Sequence, residues 1–514
     1  MKLFTKKTIL RWLSNRRLML LIIILTLGVR LFLMWLLPLT DNTEARYGEI
    51  ARLTAQNGFW LMPHVNLGTA FFAKPPLSSW LNALSILLLG ANEFSARLPA
   101  LILSVLSLAF TWRLSKDLGL KKPLFIVLAA CISPMFFICA GAVMTDATQM
   151  CVVTLGMLAA WRIFSLHNPV SERSVAKIQF WQWIFWINIA LAALTKGLAT
   201  WVLIGLPLVI FGLLEGKSLQ LWKQLFHLPA VITCLCIFSS WYWLANHHYP
   251  GFLNYFIIGE HFSRFLIPGW NGDRYGSAHK VPWGMIWIFW LVAILPWIGV
   301  FIVEIKHLAH NILRQRFSLN PTLFDSTNSC LQSDQVSGIP TPHHKRLKLY
   351  LWCFVLVPLA FFSLARNIIA PYTLTAITPF VLLAGVWFER KKHTTQRKII
   401  LSTAIFPIAI LMVTPYLWKK MNLISDKNLI ATYQRQPEYA NQGLIYATQP
   451  AYSSNFYTQE HINYEPNWQT AQEPLIVIKQ EEWQNRPQQT LHQFVEITHN
   501  NAHVLVRNLN AQHI

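Results

Sequence analysis

Asp41 and Glu44, in "DNTEARYGEIARLTAQNGFW", stand directly behind the apolar run "LMLLIIILTLGVRLFLMWLLPL". Acids beside a bilayer are costly, and those found there pair, carry protons or bind ligands. Carboxylates in such a place orient a metal, abstract a proton or hold a sugar. Arg46 follows in the same stretch, and Glu49 and Arg52 are spaced to pair along one helix face. Further on, "FFAKPPLSSW" sets Lys74 before two prolines. These force an extended backbone and make the ammonium a fixed point charge for a phosphate. The same lysine also reads as an interfacial anchor. Asp146 in "GAVMTDATQM" is an acid or a helix cap at a span end. Lys196 in "ALTKGLATW" lies between two spans, and "EHFSRF" supplies Glu260, His261 and Arg264. His261 and Arg264 share a helical face. These groups gather on one side of the expected membrane.

The elements that must position them are helices in a bilayer. The chain has 514 residues, 54% of them hydrophobic and only 13% charged. Apolar runs of about 20 residues recur, each long enough to cross a hydrocarbon core. The residues predict an all-α polytopic membrane protein with about 11 or more transmembrane helices. Expected spans lie near 17–39, 93–113, 123–142, 147–166, 180–195, 198–214, 228–246, 283–304, 347–365, 370–388 and 399–416. The stretch "LSSWLNALSILLLG" at 77–90 is apolar but short, as in a re-entrant or interfacial helix.

The net charge of +21 sits in short clusters between spans, such as "NRR" and "ERKKHTTQRK". That is the positive-inside pattern, so the charge signals topology and not a nucleic-acid partner. It predicts a cytoplasmic N-terminus and, with an odd span count, an external C-terminus. The seven cysteines show no disulfide framework or metal-ligand spacing.

Loops 40–92 and 247–282 fall on the external side. Within the first, "TEARYGEIARLTAQNG" predicts a helix capped by Asn42 or Thr43 and stopped by Gly58. The tail alternates apolar and polar residues in "PLIVIKQ" and "FVEITHNNAHVLVRN", a strand signal within a small C-terminal α/β domain. The segment 305–346 is polar and turn-rich, and predicts a flexible cytoplasmic loop.

The blocks "TEARYGEIARLTAQNGFWLMPHVN", "FFAKPPLSSWLNALSILLLGANEFSARLPA", "MTDA", "LTKG" and "GEHFSRFLIPGWNGDRYGSAH" together resemble bacterial GT-C superfamily glycosyltransferases. The nearest branch is the ArnT-like and protein O-mannosyltransferase-like one. The resemblance implies a GT-C-like transmembrane catalytic domain over 1–418 and a periplasmic soluble domain over 419–514. It implies a bacterial inner membrane, a polyprenyl-phosphate sugar donor and inverting transfer on the periplasmic face. Asp41 or Glu44 matches the acid of the first external loop, and Asp146 the acid of the second. Lys74 and Arg264 match the cations expected to hold the lipid phosphate, and Tyr372 in "IIAPYTLTAITP" matches the tyrosine of the late turn. Arg46, Lys196 and His261 are further candidates for binding phosphate or sugar. The acceptor is lipid A or another envelope glycolipid.

The chain also departs from the pattern. Thr43 stands where such chains carry Asp before Glu. Ala73 replaces the Glu of "FEKPP", and Ile368 replaces a frequent Lys. These changes count against zinc and against aminoarabinose as the sugar. A divalent metal stays open, with Glu260 and His261 as candidate ligands. Protein O-glycosylation is the competing reading within the class. A polyprenyl-lipid flippase predicts charges in mid-span and paired broken helices, neither of which stands out in the sequence. A non-catalytic scaffold leaves the one-sided cluster of acids and cations without a role.

Overall fold

A computed structural model of the chain describes residues 14–511, except 42, 167–171, 277–278, 318–340, 436–443, 460–461, 470–472, 488–489 and 491. Among the described residues, nine helices are long and apolar enough to cross a membrane, or ten if one bent pair counts as a span. The expectation of about 11 is corrected at two places, both with proline. The span expected at 123–142 is two short helices, Leu124–Cys131 and Pro134–Cys139. Pro134 has no N–H for the preceding turn and opens the second helix instead. The span expected at 283–304 bends by 88° between Met285–Ala293 and Leu295–His310, at Pro296. The helix Ile298–Phe317 also takes up the start of the loop expected at 305–346. Residues 318–340 of that loop lie outside the described residues.

The bundle core is built from aliphatic and aromatic side chains of many of these helices, with Trp161, Trp290 and Tyr350 among its largest buried members. Above it, helix Glu44–Asn57 starts after Thr43 and ends at Gly58, whose φ of 76° suits a residue without a Cβ. The Thr43 side chain makes no cap hydrogen bond, and Asn42 lies outside the described residues. Glu49 and Arg52 form the expected pair, at 2.7 Å and fully buried. The 13-residue helix Leu77–Leu89 is too short to span.

The tail forms a five-stranded sheet from β1 (Leu444–Tyr446), β2 (Ile462–Tyr464), β3 (Leu475–Lys479), β4 (Phe494–His499) and β5 (His503–Asn508). Its order is β2-β1-β3-β5-β4, parallel on the first side and antiparallel on the second. Three of these strands are the alternating segments of the sequence. The tail sits on the mouth of the bundle. The Ser425 hydroxyl donates to Leu39 O at 2.8 Å, Leu39 N donates to the Tyr457 hydroxyl at 2.8 Å, and Phe456 joins the buried cluster of helix Glu44–Asn57.

Candidate active site

Two cavities meet at this mouth. One, of about 750 Å³, is walled mainly by Trp201, Phe256, Phe262, Phe265, Leu266 and Phe361. The other, of about 570 Å³, is polar and exposes Thr43, Arg46, Asp146, Asp273 and Arg274. Lys74, Lys196, Arg264, Asn367 and Tyr372 border both, so they form the neck between them.

Lys74 and Arg264 are 190 positions apart in sequence but reach one carboxylate. Lys74 Nζ lies 2.8 Å from Glu260 Oε2, and Arg264 Nη1 lies 3.1 and 3.2 Å from the two Glu260 oxygens. The two nitrogens are therefore within about 6 Å of each other. Loop geometry explains how they are held. The Tyr275 hydroxyl donates to Ala70 O at 2.7 Å and accepts from Phe72 N at 2.9 Å, which fixes the approach to Lys74. Arg264 follows the π-helix Asn254–Ser263, whose wider turn brings Tyr255 and Glu260 together, at 3.2 Å. Asn367 then ties the Arg264 and Ile267 carbonyls and Gly269 N to the late turn.

Burial raises the Glu260 carboxyl, but the adjacent Lys74 and Arg264 charges outweigh it and leave the group below its ordinary range, ionised. Arg264 also pairs with Asp273 at 3.2 Å. Lys196 Nζ pairs with Asp146 Oδ1 at 2.7 Å and stands 5.2 Å from the centre of the Tyr372 ring. Arg46 borders the polar cavity and donates to Tyr275 O.

The first-loop acids lie elsewhere. Glu44 accepts a bidentate pair from Arg97, at 3.1 and 2.7 Å, and a hydrogen bond from Val143 N at 3.1 Å. The same guanidinium donates to the Met34, Leu37 and Pro38 carbonyls, orphans of the first span's C-terminal end. Asp41 accepts from Ser453 N at 2.8 Å and Ser453 Oγ at 2.5 Å, across the joint with the tail. So the geometry does not support either acid as the carboxylate of the cavity. Thr43 faces it instead, at the N-cap position just before Glu44. The carboxylates facing the polar cavity are Asp146 and Asp273. Asp273 and Asn367 escaped the sequence reading, although "NGDRYG" and "ARNIIAP" are dense in polar and turn residues.

A metal does not fit the donors present. Among the described residues no three His, Cys, Asp or Glu side chains converge. Glu260 is committed to two cations. His261 turns both ring nitrogens toward carbonyls, Nδ1 to Phe256 O at 2.7 Å and Nε2 to Lys196 O at 3.1 Å. Burial holds that imidazole below its ordinary range.

Asp41 yields a pH prediction. Burial, against two hydrogen bonds from Ser453, lifts its carboxyl from 3.8 to about 6. The folded chain then holds more protons than the unfolded one between those values. Its stabilising share is complete below pH 3.8 and is lost as pH rises through about 6. Melting from pH 5 to pH 7 should lower the midpoint of the wild type more than that of Asp41→Asn. Equal slopes in the two proteins would contradict this.

The crystal structure titled "ArnT from Cupriavidus metallidurans bound to Undecaprenyl phosphate" superposes with a TM-score of 0.71, covering 95% of this chain and 98% of that one at 18% identity. The chain has an ArnT-like, GT-C fold. Residues 13–256 match the family model described as dolichyl-phosphate-mannose-protein mannosyltransferase. Among curated relatives, the undecaprenyl phosphate-alpha-4-amino-4-deoxy-L-arabinose arabinosyl transferase of Pectobacterium atrosepticum is 26% identical over 366 residues, 70% of this chain and 57% of the relative. Its namesake in Edwardsiella ictaluri is 30% identical over 286 residues, 54% of this chain and 48% of the relative. The chain thus spans about half the length of these curated relatives.

Proposed function

We propose that the chain is an integral-membrane glycosyltransferase that moves a sugar from a polyprenyl phosphate carrier to an acceptor at the external face. One observation carries this reading. An apolar cavity suited to a prenyl chain opens onto a polar one suited to a sugar, and two cations on one carboxylate mark the join. Lys74 and Arg264 hold the phosphate, and the sugar lies beyond them among Thr43, Arg46, Lys196 and Tyr372. In the transfer, the bond from the sugar's anomeric carbon to the phosphate oxygen breaks, and its electron pair stays on the phosphate. The acceptor oxygen bonds to that carbon from the opposite face, so the configuration inverts. A hydroxyl acceptor passes its proton to Asp146, whereas an ionised phosphate acceptor has none to pass. The two cations stabilise the charge that grows on the leaving group.

Undecaprenyl phosphate is the carrier named for the relatives. With a sugar attached, it is the donor expected here. Lipid A or another envelope glycolipid is the acceptor expected from the resemblance. The protein-mannosyltransferase family model favours a second reading, with protein hydroxyls as acceptors. Incubating the purified protein with a radiolabelled polyprenyl-phosphate sugar and envelope extract tests both. Label in the glycolipid fraction supports the first reading and label in protein the second. No transfer to either overturns the enzyme assignment.

We infer a bacterial inner membrane with the N-terminus in the cytoplasm and the tail in the periplasm, a reading that the basic clusters and a count of nine spans among the described residues support. A reporter that fluoresces only in the cytoplasm, fused after Ile514, should stay dark. A bright signal would put the proposed site on the wrong face.

A further inference from the structure

We propose that Glu260 is a built-in counter-anion of the phosphate cradle, one that weakens its hold on phosphate so that the spent carrier can leave. The inference rests on the phosphate role given to Lys74 and Arg264. Glu260 Oε2 takes Lys74 at 2.8 Å, and both of its oxygens take Arg264, at 3.1 and 3.2 Å. Its side chain is 2% exposed, whereas those of Lys74 and Arg264 are 22% and 21% exposed and border both cavities. The carboxylate thus meets both cations from the apolar cavity, which it also lines, while the cations reach on into the polar one. On the polar side Asp273 meets the same guanidinium at 3.2 Å. Two acids and two cations leave the empty cradle without net charge.

That balance matters because the ligand changes charge during the reaction. The donor is a phosphodiester with one negative charge, and the spent carrier is a monoester with up to two. A cradle with two uncompensated cations would hold the monoester most tightly, and release would limit turnover. Glu260 lowers the attraction for both forms and keeps the cations oriented. This makes it a positioning residue, which acts on the ligand through Lys74 and Arg264.

The test is direct binding of undecaprenyl phosphate to the purified protein in detergent, with donor kinetics alongside. Glu260→Gln keeps shape and removes charge. It should bind the monoester about tenfold or more tightly. It should also lower KM for the donor and lower kcat, with a burst followed by slow turnover. Asp273→Asn, at the less enclosed acid, should shift binding in the same direction, and Glu260→Asp should return towards wild type. Weaker binding in both Glu260→Gln and Asp273→Asn would overturn the proposal and make the acids mere props for the cations, while the phosphate role stood if Lys74→Ala also lost binding. No binding by the wild type would remove the cradle itself, and this proposal with it.

Discussion

Lys74→Ala loses about 100-fold or more of sugar transfer and binds polyprenyl phosphate weakly, yet remains folded. The physical basis is its place at the neck. Lys74 sits on a proline-fixed elbow and points at the carboxylate it shares with Arg264. Removing it leaves Glu260 paired with Arg264 and hydrogen-bonded to Tyr255, so no buried charge is stranded. No core cavity opens either, because the side chain borders cavities that already exist. Donor binding and thermal melting of the same preparation check both halves of the expectation. A large loss of thermal stability with unchanged donor affinity would make Lys74 a structural anchor.

The second large effect belongs to Asp146, which faces the polar cavity and holds Lys196 at 2.7 Å. Asp146→Asn should lower kcat by about 100-fold or more, since a positioned acid–base group contributes on that scale. Carrier binding should stay near wild type, because the phosphate cations are untouched. The asparagine oxygen still accepts from Lys196, so the variant should fold. Lys196→Ala differs in kind. It leaves Asp146 buried without its partner, a change that costs about 3–5 kcal/mol, and little folded protein should be recovered. Carrier affinity and single-turnover rates separate the cases. An Asp146→Asn protein that binds carrier poorly but turns over normally would assign the acid to binding.

The parts of the fold written in local order were legible. Hydropathy marks nine of the expected spans because each has its own apolar length without a sharp bend, the last interrupted only at Ala404. The stretches 475–479 and 494–508 were legible as strands from their β-branched and aromatic residues, although the sheet buries both faces of Leu475–Lys479 and His503–Asn508. Glu49 and Arg52 pair because they are one helical turn apart. The resemblance assigns Lys74 and Arg264 to one lipid phosphate, and in the structure both reach Glu260. The choice of carboxylate was not legible in the same way. Glu44 is taken by Arg97, 53 positions away, and Asp41 by Ser453, 412 positions away. Neither partner can be reached by local spacing. At the start of helix Glu44–Asn57 the residue that meets the cavity is Thr43, the N-cap with non-helical backbone angles. The bend at Pro296 and the break at Pro134 had a visible signal in the prolines themselves, masked by the length of the surrounding apolar runs.

The most direct measurement is an electron cryomicroscopy map of the protein in lipid nanodiscs with an added polyprenyl-phosphate sugar. Phosphate density is expected within hydrogen-bond reach of Lys74 Nζ and the Arg264 guanidinium. The prenyl chain should run along Phe256, Phe262 and Phe361, and the sugar should face Asp146 and Lys196. Phosphate density elsewhere in the bundle, with Lys74 and Arg264 still closed on Glu260 alone, would contradict this placement.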